Sequence, residues 1–243
     1  MERQNTISKK PDENSTHRIS YFGGVAIATL IILINFLNTK STGWINWTLI
    51  FGGVIAIFLI ARLIPLNTSD MGLERKYLKS GAIHGGVSLL LVLLTFSLVF
   101  IIKSDFFIDS RYAVTFLDLL YLIFIFIPLH TIIIEELLFR GALLGYLLKI
   151  TNKRLAVFIS SALFGLWHIL PSLGLAKSSS TLSSTLGTDY IAQILSVIGA
   201  VLLTFVAALV FCWIRIRSKS LLAPILAHWA INVTALVFAY LAN

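Results

Sequence analysis

Runs of about 20 apolar residues recur along the whole chain and constrain its fold more than any other feature. A helix needs about that length to cross hydrocarbon, where no water is present to satisfy backbone polar groups. Runs at 19–37, 44–66, 81–102, 154–170, 190–213 and 221–241 come close to or exceed it. Of the 243 residues, 58% are hydrophobic and only 12% charged, too little polar surface for a water-soluble bundle. The sequence therefore predicts an all-α, multi-pass transmembrane helical bundle.

One stretch, 113–148, resists simple counting: at roughly 36 residues, or about 54 Å as one helix, it is long for one span and short for two. Pro128 marks the expected break or kink, because it lacks an N–H and its ring crowds the preceding turn. The positive-inside rule separates the two counts. With the N-terminus inside and this stretch crossing once, the inner segments hold Arg3, Lys9, Lys10, Arg18, Arg62, Arg75, Lys76, Lys79, Lys149, Lys153, Arg154, Arg215, Arg217 and Lys219. Only Lys40, Lys103, Arg111 and Lys177 fall outside. Two crossings would erase that bias, so about seven are expected rather than eight, with 113–127 a partial or interfacial helix ahead of the true span.

The formal charge of +8 belongs to this pattern. Cations that punctuate apolar runs meet lipid headgroups, so the expected surroundings are a bilayer and not nucleic acid. Cys212 is the only cysteine, which excludes an intramolecular disulfide and a multi-cysteine metal cage. The opening residues have no short apolar core or small-residue cleavage site. The organisation read from the chain is a cytosolic polar tail over 1–19, three transmembrane helices within 20–112, and a membrane core over 113–243. The expected location is the cell membrane. The Ser/Thr-rich stretch 171–189 reads as a flexible connector on the far side. The glycines at 23–24, 52–53, 85–86, 141 and 145 read as points of close helix packing.

Ionisable groups inside spans cost several kcal/mol and mark function by default. Glu135-Glu136 precedes Arg140 on the long stretch, Phe164 precedes His168, and His228 precedes Asn232. Residues four apart share a helical face, so Glu136 and Arg140 can pair while Glu135, about 100° away, stays available as a general base. His228 and Asn232 share a face, and Phe164 can brace His168. Counted from the nearest inner-side cations, Glu135 and His168 each lie about 14 residues deep, roughly 21 Å, and His228 about 9 residues, roughly 14 Å. The three clusters can meet near mid-membrane. Asp118, His130 and His84 read as structural or interfacial.

In order, these residues form EExxxR, FxxxH and HxxxN. With the flanks EELLFRGALLGYL, SALFGLWHILPS and LLAPILAHWAINV they resemble the CPBP family of CAAX prenyl proteases and bacteriocin-processing enzymes, also called Abi, over 131–233. The resemblance implies intramembrane hydrolysis of a peptide bond in an apolar or membrane-associated protein. Glu135, assisted by His168, would activate water, His228 and Asn232 would hold the oxyanion, and Glu136, Arg140 and Phe164 would support them. On this reading the cavity should open to the cytosol.

No cofactor is preferred. Zinc held by Glu135, His168 and His228 is the alternative, although no HExxH pair is present and a liganding carboxylate is not a free base. The competing function is a non-catalytic immunity or maturation factor that binds a peptide or membrane protein. A proton or ion transporter would also use buried Glu and His, but the paired broken helices of such folds are missing.

Overall fold

A computed structural model describes residues 13–40, 43–64 and 66–243. The described residues are almost entirely helical and contain no strand. Among the described residues the longer helices are α1 (Glu13–Lys40), α2 (Trp44–Leu63), α3 (Leu78–Ile102), α4 (Phe116–Ile150), α5 (Lys153–Trp167), α8 (Tyr190–Ser218) and α9 (Leu222–Ala242). Between α5 and α8 lie two short helices, α6 (Leu175–Ser178) and α7 (Ser180–Leu186). Residues 1–12 of the expected tail, with Arg3, Lys9 and Lys10, lie outside the described residues; its remainder, from Glu13, is already helix.

The bundle is apolar on the outside. Leu90, Leu91 and Leu94 are 60%, 60% and 68% exposed, whereas Glu136 and Arg140 are fully buried. Among the described residues, four helices are long and apolar enough to cross a membrane: α3 with its preceding turn, α4, α8 and α9. Apolar stretches of α1 and α2, Phe22–Leu37 and Trp47–Leu63, are shorter. Together they make an all-α membrane protein.

Helix α4 does not break at Pro128. It is continuous over Phe116–Ile150, so 113–127 supplies no separate interfacial helix. The backbone absorbs the proline by widening: over Leu122–Ile132 and again over Leu137–Leu143 the turns are of π type, as in the bond from Ile133 N to Pro128 O. A π turn accommodates the missing proton and the ring clash, and such turns often accompany functional sites. Glu135 and Glu136 sit on the short α-helical stretch between the two widened segments.

The two faces are built differently. At one, the 66–77 segment, the end of α4 and the α8–α9 turn are tied together. Arg215 Nη2 donates to Asp70 O at 2.8 Å, Leu221 N to Gly72 O at 2.8 Å, and Lys149 pairs with Asp70 at 2.7 Å. At the other, the expected flexible connector is a packed cap. Ala176 is fully buried, Ser180 N donates to Ile108 O at 3.1 Å, and the Ser180 and Thr181 hydroxyls both reach Asp105 O at 3.2 Å. The serines and threonines that read as a flexible sequence are what bond this cap to the 104–112 segment.

Glycine spacing is only partly about packing. A Cβ on Gly145 would lie 2.7 Å from the backbone oxygen of Asp70, but one on Gly52 or Gly86 would meet nothing within 4 Å. Gly86→Ala should therefore raise stability by roughly 0.5–1 kcal/mol through helix propensity, and Gly145→Ala should lower it. Thermal unfolding of the detergent-solubilised protein reads both signs.

The cap carries a pH dependence. Burial raises the pKa of Asp109, but the side-chain and backbone hydrogen bonds from Arg111 outweigh it and hold the carboxyl below its ordinary 3.8. A depressed carboxyl stabilises the fold above its unfolded pKa and loses that contribution as pH falls through the folded value. Hydrogen exchange in 104–112 should thus be unchanged from pH 7 to 5 and rise, after correction for intrinsic rate, below about pH 3.8; in Asp109→Asn that acid rise should be absent.

Candidate active site

Arg140 and Glu136 pair along α4, with Nη1 donating to Oε1 at 3.0 Å and neither side chain exposed. The spacing of four residues sets this up, and two further helices complete it. His228 of α9 donates from Nδ1 to the same oxygen at 2.8 Å, so Glu136 links α4 to α9. The guanidinium lies between two rings, 4.0 Å from the centre of Phe164 on α5 and 4.9 Å from that of Phe211 on α8. Such cation–π contacts gain strength when desolvated, and here they partly offset the lack of hydrogen-bond partners for Nε and Nη2.

Glu135 faces away from this pair, as the 100° step requires. Its Oε1 accepts from Trp167 Nε1 at 3.0 Å, and its Oε2 has no hydrogen-bond partner. The closest charged or chargeable neighbour of Oε2 is His228 Nε2 at 3.9 Å, beyond hydrogen-bond range. Trp167, adjacent to His168, lines the site and bonds Glu135 but was passed over by the motif reading; an indole in the last turn before a motif histidine is the signal available for it.

His168 caps the end of α5 and donates from Nδ1 to Phe164 O at 2.8 Å. That bond leaves Nε2 with the lone pair in the neutral ring. Phe164 braces the imidazole at a 4.7 Å centroid distance, in line with the FxxxH spacing.

Glu135, His168 and Asn232 line one cavity of about 500 Å³, together with Trp167 and, from outside the motifs, Asn35 and His130. The three motifs thus converge, as the depth count requires. His228 does not line the cavity: it is 5% exposed and sits behind Glu135 against Glu136. Asn35 of α1 donates to Trp167 O at 2.9 Å. The cavity runs toward one face of the bundle. It extends to Tyr112 and Pro171, at the capped face, while the inner-side cations gather at the opposite one.

The zinc alternative can be tested on these side chains. Both histidines are oriented through Nδ1 as metal-bound histidines are. Among the described residues, however, no three His, Cys, Asp or Glu side chains converge closely enough to hold a metal ion, so Glu135, His168 and His228 do not form that site as placed.

Arg140→Met leaves Glu136 buried with its cation removed and should cost roughly 3–5 kcal/mol. Combining it with Glu136→Gln should recover part of the loss, so the double variant unfolds later than the sum of the singles requires. Additive losses in detergent unfolding would contradict a coupled pair.

Residues 117–234, just under half of the chain, match the family model described as type II CAAX prenyl endopeptidase Rce1-like. No curated protein and no solved structure matches the chain. The matched segment contains all three motifs and agrees with the resemblance read from them. Residues 117–234 are thus similar to the Rce1-like family of type II CAAX prenyl endopeptidases, the resemblance that the three motifs carry.

Proposed function

We propose that the protein is an intramembrane endopeptidase that hydrolyses a peptide bond of an apolar or membrane-associated protein by a glutamate-type mechanism. The observation that carries this reading is the split between the two adjacent carboxylates. Glu136 is committed to Arg140 and His228, while Glu135 presents an unpartnered oxygen in the wall of a cavity that also contains His168 and Asn232.

Water enters beside Glu135, whose Oε2 takes a proton as the water oxygen bonds to the scissile carbonyl carbon. His168 Nε2, free because Nδ1 is bound to Phe164 O, helps orient and polarise that water. The carbonyl oxygen gains negative charge, and Asn232 donates to it from the cavity wall. His228, held behind Glu135 by its Nδ1 bond to Glu136, positions the two carboxylates from outside the cavity wall and does not reach the oxyanion. Glu135 then passes its proton to the departing amine as the C–N bond breaks. Trp167 holds the carboxylate through its other oxygen.

The chain would act in the cell membrane with its N-terminus in the cytosol, consistent with the basic segments. No resident metal is needed for these steps.

Cleavage of an apolar peptide library by the purified chain in lipid tests the proposal. Glu135→Gln should lower kcat by about 10²–10⁴ with peptide binding retained, and Asn232→Ala by about 10²–10³. Stoichiometric zinc in the wild type, lost with activity in His168→Ala, would overturn the glutamate mechanism. Retained binding without any cleavage by the wild type would favour a non-catalytic peptide-binding factor.

A further inference from the structure

Among the described residues two arginines are buried, and only one of them pairs with a carboxylate. Arg140, with no exposed surface, has Glu136. Arg215, 6% exposed and near the end of α8, has no Asp or Glu within ion-pair distance among the described residues. Its bonds run from Nη2 alone, to the carbonyls of Asp70 at 2.8 Å and Ser69 at 3.5 Å, and its Nε has no partner. The Asp70 carboxylate is committed elsewhere: Oδ2 takes Lys149 Nζ at 2.7 Å and Asn67 N at 2.8 Å. Neutral carbonyls orient a guanidinium but do not cancel its charge, and a buried cation without a counter-charge is costly.

This guanidinium lines a second cavity, of about 280 Å³, together with Ser69, Leu148, Lys149 and Ile216. The backbone is shaped to hold it there. Gly72 has a φ of 72°, and a Cβ on it would collide with the guanidinium, so a glycine is what lets the 66–77 segment close over the side chain. Helices α4 and α8 both end beside this cavity, at Ile150 and Ser218, and Leu148, Ile150 and Trp213 there point outward. Cations at the end of a helix commonly serve its dipole from the surface, as exposed Arg217 and Lys219 can. Arg215 is placed differently, buried against a cavity.

We propose that this cavity binds a phosphate anion, the headgroup of an anionic lipid or free phosphate, with Arg215 as the central donor and Lys149 at the mouth. A guanidinium offers several N–H donors in one plane to phosphate oxygens, and the ammonium adds charge beside them. The outward apolar residues at the rim would meet the acyl chains of a lipid. The cavity shares no lining residue with the one around Glu135, so the proposal is independent of the peptidase reading.

Thermal unfolding of the full chain in a maltoside detergent tests it, with dioleoyl phosphatidylglycerol, dioleoyl phosphatidylcholine or inorganic phosphate added in turn. Phosphatidylglycerol should raise the midpoint by about 5 °C, saturably, and phosphatidylcholine should raise it less. A matching rise with inorganic phosphate identifies free phosphate as the ligand, and a rise with phosphatidylglycerol alone identifies the lipid. Equal rises with the two lipids, or none with either phosphatidylglycerol or phosphate, overturn the site. Arg215→Gln should abolish the response, whereas Lys153→Gln, exposed at the same end of the bundle, should keep it; the opposite pattern overturns the assignment. Ser69→Asp keeps the test decisive where Arg215→Gln does not fold. Its carboxylate, supplied beside the guanidinium, should raise the midpoint without any additive and cancel the response to both lipid and phosphate. An undiminished response in Ser69→Asp overturns the proposal.

Discussion

A carboxylate with no exposed surface, Glu136, is the constraint on which the rest of the core depends. In hydrocarbon an unpaired charge costs several kcal/mol, so Glu136 and Arg140 are tolerable only together. Their shared position on α4 makes the pair, but the pair is then completed by His228 from α9 and by Phe164 and Phe211 from α5 and α8. Four helices are thereby held in one arrangement by a single ion pair. Because Glu136 absorbs the local positive charge, its neighbour Glu135 is left with a partner on one oxygen only.

The long helix α4 adapts its backbone to this task. Pro128 would kink an ordinary helix, and the π-type widening around it keeps the axis continuous over about 50 Å. The N-terminal half of α4 forms a cavity wall, while the half beyond Glu135 is packed solid. One helix thus supplies the access wall, the proposed base and the buried anchor in sequence order.

Much of this was legible without coordinates. Apolar runs marked the helices to within a few residues, and the four-residue spacing marked the Glu136–Arg140 pair and the Phe164–His168 contact, since both are local consequences of helical geometry. What was not legible depends on tertiary contacts. The bond between His228 and Glu136 spans 92 residues, and it moves the imidazole out of the cavity wall that Asn232 occupies. Trp167 reaches Glu135 across two helices. Depth counting brought the three motifs together, but distance along a helix does not say which side of a site is filled. The Ser/Thr-rich stretch misled for a related reason: hydroxyls that solvate a loop in water also bond a cap to neighbouring carbonyls.

If Glu135 is the general base, this chain cuts proteins in its own membrane. The most direct measurement compares protein N-termini across the membrane proteome of cells making the wild-type chain and cells making Glu135→Gln at equal abundance. New termini that appear only with the wild type, within or beside apolar segments, are the predicted result. Identical termini in both, with both proteins folded and inserted, would contradict it.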